Sequence, residues 1–367
     1  DPAPPPGGPP PLVEAIARRY SSHLGRAVDP MKEVAITVGA SQALYMAFRT
    51  LLQPGDEVLV VEPFFDLYIG QIQAAGGVPR FVPMDRNPDG TWSLDGDRLA
   101  AALTPRTRIV LVTSPHNPTG KTLTRAEAES VAAAVRSHPS AVLLSDEVYK
   151  YTIHTPPLGG GDATCEGHVH LAALPGMWDR TLTLSSAGKT FSVTGWVTGW
   201  MVGPEELVAP VQSMLPLVQF CSATPLQQAL VTALEAADAP YHGAESYYAW
   251  LREQFVRKKE AVALGLRAAG IEPLESNGGF FVMGDVSGLD APEEYWGPSP
   301  ANPGPVTRDW AVCRRLAHEA GVAAVPATPF FSAANREEGA KYARFAFCKR
   351  EDTIAEAVAR LEAWGGR

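Results

Sequence analysis

Between Glu33 and Ser186 short β-branched runs alternate with helical stretches, and this alternation limits the chain more than any other feature. The expected strands are Val34–Val38, Glu57–Val61, Arg80–Pro83, Ile109–Thr113, Val142–Leu144 and Thr181–Leu184. Apolar-periodic helices lie between them, notably Ser41–Leu52 and Arg125–Ser137, and Pro54-Gly55-Asp56 and Asn87-Pro88-Asp89-Gly90 mark turns. Strand–helix alternation implies an α/β fold, a mainly parallel sheet with helices on both faces. With 367 residues, 46% hydrophobic and 19% charged, the chain can fill a large core and about two domains.

Beyond Pro240 the pattern changes. Ala244–Ala269 reads as one long amphipathic helix, followed by an Ile271–Val286 strand region and a Pro/Gly-rich surface loop at Pro292–Pro305. A helix at Asp309–Ala320, strands near Val322–Val325 and Tyr342–Phe347, and a last helix at Asp352–Trp364 complete a smaller α+β unit. The expected division is a large domain at 30–240 and a small one built from 1–29 and 241–367. Asp1–Pro11 is almost all Pro and Gly and reads as the trimmed edge of a longer chain.

A net charge of −9 and a pI near 5.4 argue against a nucleic-acid partner. The one basic run, Arg257-Lys258-Lys259, sits among Glu253 and Glu260 as a solvated helix face. No apolar run approaches the ~20 residues of a membrane span. Cys165, Cys221, Cys313 and Cys348 are scattered and point to a reducing compartment, so the expected location is the cytoplasm, with an organelle as the alternative. His168-Val-His170 is the one close histidine pair. With no third ligand nearby in sequence it reads as loop or edge-strand histidines, and no metal is expected.

In open α/β sheets, ligands sit beyond the carboxyl ends of the strands. Four polar clusters fall there: Gly39-Ala40-Ser41, Ser114–Gly120, Asp146–Tyr149 and Ser185–Lys189. Lys189, directly after a strand and among small residues, suits a desolvated amine that forms imines, though an ordinary loop lysine fits the hexapeptide equally. Ser186-x-x-Lys189 resembles an acyl-hydrolase motif, but its S-D-N and K-T-G companions are missing. Gly188-Lys189-Thr190 resembles the end of a Walker A loop that lacks its first glycine. Asp146 is placed to pair with a protonated ring nitrogen or to cap a helix. Asn117, held extended by Pro118, can donate to a phenolate or close an Asx-turn. The small residues of Val38–Ala43 open a helix whose amides suit a phosphate or simply start the helix.

Taken together, VGASQAL, EPFFDLY, SPHNPTGK, SDEVY, SSAGKTFSVTGW and YARFAF resemble the fold-type I pyridoxal-phosphate (PLP) enzymes of aminotransferase class I/II. The nearest subgroup is that of kynurenine aminotransferase, glutamine transaminase K and cysteine-conjugate β-lyase. The resemblance implies that Lys189 carries PLP as a Schiff base and shuttles the substrate's Cα proton. It implies that Asp146 pairs with the ring nitrogen, that Tyr149 and Asn117 bond the phenolic oxygen, and that Phe65 stacks on the ring. Gly39, Ala40, Ser41 and Ser186 would hold the phosphate, and Arg344 would grip the substrate α-carboxylate with a fork that Lys lacks. An inter-strand ion pair is the other reading of Arg344.

The expected reaction is a ping-pong amino transfer to a 2-oxo acid. Aromatic, Gln, Met or kynurenine-type donors rank above Asp, because no second basic residue is evident for a distal carboxylate. A cysteine-conjugate β-lyase, a decarboxylating synthase and a non-catalytic PLP-fold binding protein are the rivals. A homodimer with a shared site is expected, with the apolar Leu215–Thr224 region at the interface. One departure stands out: where the group carries Lys or Arg eight residues after the Schiff-base lysine, this chain has Val197. The group's N-terminal substrate-covering segment also has no counterpart.

Overall fold

The computed structural model describes residues 5, 7–154 and 167–366, so Cys165 lies outside the described residues. The chain builds a seven-stranded sheet from β1 (Val34–Val38), β2 (Glu57–Glu62), β3 (Val78–Pro83), β6 (Thr107–Thr113), β7 (Val142–Asp146), β8 (Thr181–Ser186) and β9 (Thr198–Val202). β4 (Asp85–Arg86) and β5 (Trp92–Ser93) form a small separate hairpin. The order across the large sheet is β1-β9-β8-β7-β6-β2-β3. From β8 to β3 the neighbours run parallel, and β9 lies antiparallel between β8 and β1. All six strands expected from sequence are present, Val34–Val38 with the same bounds and the others with an end shifted by one or two residues. The central strands β2, β6, β7 and β8 are buried on both faces, as a sheet covered by helices on each side requires, while the edge strand β3 is largely exposed.

β9 was not anticipated. It is short, and Gly199 within it is there for space. A Cβ on Gly199 would stand 2.5 Å from the Gly39 carbonyl carbon and 2.7 Å from the Ala40 nitrogen. Glycine lets β9 lie flat on the turn where β1 becomes the Gly39–Leu51 helix, and Gly39 itself takes φ +71°.

A helix at Pro10–Leu24 was also missed. It starts on Pro at its first turn and stops at Gly25 in the left-handed region, ends suited to helix boundaries. Leu12, Val13, Ile16 and Tyr20 bury against Val34, Ile36, Trp200 and Leu230. The helix thus lays its apolar stripe on the large sheet.

The smaller sheet has β10 (Glu272–Pro273), β11 (Phe281–Asp285), β12 (Val325–Pro326) and β13 (Tyr342–Ala346) in the antiparallel order β10-β11-β13-β12. Its core joins Phe255 and Leu266 of the Tyr247–Ala268 helix to Val282, Phe345 and Leu361. That helix begins at Tyr247, later than Ala244, because the Ser246 hydroxyl caps it by accepting from the Ala249 amide. The Asp309–Ala320 helix is α from Arg308 to Arg315 and widens to a π turn at Leu316–Ala320. Among the described residues no helix is long and apolar enough to cross a membrane.

Gly199→Ala lowers stability by about 1–3 kcal/mol, the cost of overpacking against backbone that cannot yield, read from the urea midpoint. An unmoved midpoint would show that the β9 turn is not tightly seated. Separately, burial holds the His116 and His154 imidazoles down to about 3, well under their ordinary 6.5. The unfolded chain protonates both near 6.5 and the folded chain does not, so stability is full above that pH and falls as pH drops below it. Each histidine contributes a slope approaching ~1.4 kcal/mol per pH unit. Urea titrations at pH 7, 6 and 5 should show the decline, and His116→Gln should make it shallower without abolishing it, since His154 still contributes.

Candidate active site

The C-terminal ends of β1, β6, β7 and β8 open into one cavity of about 270 Å³, and Phe280, Phe281, Arg344 and Ala346 of the smaller sheet region close it. All ten residues singled out from sequence line this cavity: Gly39, Ala40, Ser41, Phe65, Asn117, Asp146, Tyr149, Ser186, Lys189 and Arg344. Residues separated by some 300 positions in the chain thus share one wall-to-wall site.

Lys189 lies in the one-turn helix Ala187–Thr190 that follows β8. Burial draws its amine below the ordinary lysine range, only partly offset by Cys348 and Asp146, while Arg344 adds to the depression. A lysine with a weakened hold on its proton is a better nucleophile near neutrality. Its Nζ stands 5.8 Å from the centre of the Phe280 ring.

Asp146 ends β7 with its carboxylate buried. Burial raises its proton affinity, and hydrogen bonds from Tyr68 Oη (2.6 Å) and the Val148 amide (3.3 Å) oppose that rise. The next helical turn, Lys150–Thr152, has Tyr149 and not Asp146 at its N-cap, although one Asp146 oxygen does accept from the Val148 amide. Tyr149 packs edge-on against Phe280 and Phe281, each 5.4 Å away, and burial beside Asp146 keeps it a neutral phenol.

Arg344 faces Met283 on one side and Val325 on the other in the smaller sheet. Its Nη1 donates to Asn117 Oδ1 at 2.7 Å, which occupies the amide's acceptor and leaves its N–H donors for a ligand. The guanidinium lies over the rings of Phe330 (4.8 Å) and Phe281 (5.3 Å). No carboxylate is within ion-pair distance among the described residues, so the inter-strand ion pair is not formed, and Asp66 acts on Arg344 only through its longer-range charge. Arg344 Nε is buried and has no hydrogen-bond partner among the described residues. A buried cation with an open donor suits an anionic ligand.

At the other end, the Gly39–Leu51 helix starts with no side chain capping its first amides. Ala40 and Ser41 therefore present open N–H groups to the cavity, beside Ser186, Thr194 and Thr198. Val197 lines this end too. It is 47% exposed and takes φ 48°, a left-handed backbone that costs a β-branched residue strain. Among the described residues, no cationic side chain other than Lys189 and Arg344 lines the cavity. The donor set fits PLP: a depressed lysine, a buried carboxylate, open amides for a phosphate and an orphaned arginine nitrogen.

Sequence reading missed Tyr68, Val148, Thr194, Thr198, Phe280 and Phe281 as lining residues. Tyr68 was visible as the last letter of EPFFDLY. The pair Phe280-Phe281 carried no signal beyond ordinary core aromatics.

One expectation is corrected. His168 and His170 do have a third ligand-type neighbour: Glu147 Oε2 lies 3.2 Å from His168 Nε2 and 2.7 Å from His170 Nδ1, all buried. Glu147 follows Asp146 but does not line the cavity. The two imidazoles hold its carboxyl well below the usual range despite burial. Lys150 is close enough to push down both His23 and His170, and its positive charge weighs against a dication in the same place.

The aminotransferase class I and II family matches residues 3–361 of the chain. A kynurenine–oxoglutarate transaminase of Dictyostelium discoideum is 34% identical over 94% of this chain and 80% of its own length. The structure of N-succinyldiaminopimelate aminotransferase from Mycobacterium tuberculosis superposes with a TM-score of 0.84, at 35% identity, over 99% of this chain and 86% of that one. A putative kynurenine aminotransferase from Saccharomyces cerevisiae gives a TM-score of 0.87 at 30% identity, covering 100% and 84%. With that match along nearly its whole length, and with the cavity built as described, this chain belongs to the class I and II aminotransferases.

Proposed function

We propose that this transaminase works through PLP held on Lys189 and moves an amino group from an uncharged or aromatic amino acid to a 2-oxo acid. The observation that carries the reading is the placement of a depressed lysine, a buried carboxylate and an orphaned arginine donor on one small cavity. PLP, when bound, supplies the electron sink for the charge left at an amino acid's Cα after deprotonation. Asp146 would hold a proton at the ring nitrogen. Asn117 and Tyr149 would donate to the phenolic oxygen, and Phe65 would lie against the ring face. The Ala40 and Ser41 amides and the Ser186 hydroxyl would hold the phosphate, with Gly39 giving the turn room. Arg344 would take the α-carboxylate in its fork, and the freed Lys189 amine would accept the Cα proton.

The walls favour kynurenine, aromatic, Gln and Met donors over Asp and Glu. Phe65, Phe280, Phe281 and Val148 give an apolar surround, and a distal carboxylate would meet no further cation among the described residues. Family membership supports transamination over the β-lyase, synthase and binding-only readings. We further propose a homodimer. Leu217 is 85% exposed and Phe220 68%, with Val218 beside them, an apolar run that a second copy would cover, whereas Leu215 belongs to the core.

Protein reconstituted with PLP should show a protein-bound absorption band that a panel of amino donors converts, with Asp at least about tenfold slower than Met or Phe. Lys189→Ala should cost about a thousandfold or more in turnover. Equal rates with Asp would sink the substrate reading, and an unaffected Lys189→Ala variant would sink the mechanism. Val197→Arg should tighten PLP about tenfold in equilibrium dialysis by adding a charge-assisted bond at the phosphate end. No change would show that the amides and hydroxyls already saturate the phosphate.

A further inference from the structure

Tyr68 takes no part in the assignments above, yet it makes the shortest contact to Asp146. Its hydroxyl lies 2.6 Å from Asp146 Oδ2 and 2.7 Å from Thr113 Oγ1, with all three residues buried. An ionised carboxylate only accepts, so the single tyrosine proton goes to Asp146, and Thr113 must donate to the tyrosine oxygen. The relay has one direction: Thr113 O–H to Tyr68, then Tyr68 O–H to Asp146. Donation into a hydroxyl strengthens that hydroxyl as a donor.

The frame around this relay is stiff. Thr113 and Asp146 are ladder partners at the ends of β6 and β7. Tyr68 is the second residue of the Leu67–Ala74 helix, whose start is capped by the Asp66 side chain. Its ring meets Phe65 edge-on at 5.5 Å and 88°. The residue placed to stack on the cofactor and the residue placed at its ring nitrogen are therefore braced by one side chain. Burial beside Asp146 keeps Tyr68 a phenol far above neutrality, so it remains a donor.

A carboxyl as buried as Asp146 is driven to take up a proton. A protonated Asp146 could still bond a ring nitrogen, but the nitrogen would then be neutral and the ring a poor electron sink. Charge-assisted bonds from hydroxyls favour the ionised form, and Tyr68 supplies the short one.

We propose that Tyr68, backed by Thr113, is a positioning residue that keeps Asp146 ionised and so keeps the shared proton on the cofactor's ring nitrogen. The proposal rests on the PLP reading given above. The test uses the whole chain reconstituted with PLP isotopically labelled at the ring nitrogen, and follows that nitrogen's NMR shift. Wild type should show a pyridinium. Tyr68→Phe should move the shift toward neutral pyridine and weaken PLP binding about tenfold. Its kcat should fall about tenfold with the donor KM within about twofold, the pattern of a lost electron sink. Thr113→Val keeps Tyr68 and removes only the relay, so it should shift the nitrogen in the same direction by less. It also serves if Tyr68→Phe does not fold. A ring-nitrogen shift unchanged from wild type in whichever variants fold overturns the proposal, whatever happens to activity. A wild type that takes up no PLP overturns the parent reading as well, so the two failures are distinguishable.

Discussion

The site depends on one costly arrangement, a carboxylate buried at the end of a central parallel strand. Asp146 stands where the core is dry and hydration is lost, and water's stabilisation of its charge must be replaced by fixed donors. Tyr68 and the Val148 amide supply them from the adjoining segments. The neighbouring position solves the same problem with different partners: Glu147 is compensated by His168 and His170. Two consecutive acids with separate networks on one strand end make this edge of the sheet expensive to build and hard to rearrange.

Around that centre, the two sheets divide the labour. The large sheet supplies the lysine, the acid and the open helix amides from strand ends that a parallel topology places side by side. The smaller sheet supplies the guanidinium and the aromatic wall. Contact between the two is direct, since Arg344 donates to Asn117, and Glu62 at the end of β2 accepts from Ser332 and Asn335. Phe330, which lies under Arg344, sits in the segment that Glu62 ties down, with its carbonyl accepting from the Phe64 amide. The aim of the arginine is thus set by contacts across the cleft, three through side chains and one between backbones.

Strain collects where the start of the Gly39–Leu51 helix meets the turn after the lysine helix. Val197 and Ser192, both with left-handed backbones, flank the turn that follows the lysine helix, and Gly39 is left-handed on the facing turn. Val197 Cγ1 would meet a Cβ on Gly39 at 3.1 Å, so these turns are fitted to each other as well as to any ligand.

Sequence by itself determined the α/β class and six strands of the large sheet, because continuous apolar runs are local signals. Strand-end polar clusters marked Gly39, Ala40, Ser41, Asn117, Asp146, Tyr149, Ser186 and Lys189, whereas Phe65 and Arg344 came only with the resemblance to the family. β9 and the Pro10–Leu24 helix were not legible: a five-residue strand held by Gly199, and a helix read through its proline-rich start, are weak signals until packed. The smaller sheet was only outlined, with Val322–Val325 reduced to two paired residues. Tertiary structure alone decided who bonds whom. Tyr68 reaches Asp146 across 78 positions and Arg344 reaches Asn117 across 227, while Glu147 finds its histidines beyond an intervening segment. Periodicity reports which face of an element is buried, whereas the protonation and aim of a buried side chain depend on donors brought near it only by folding.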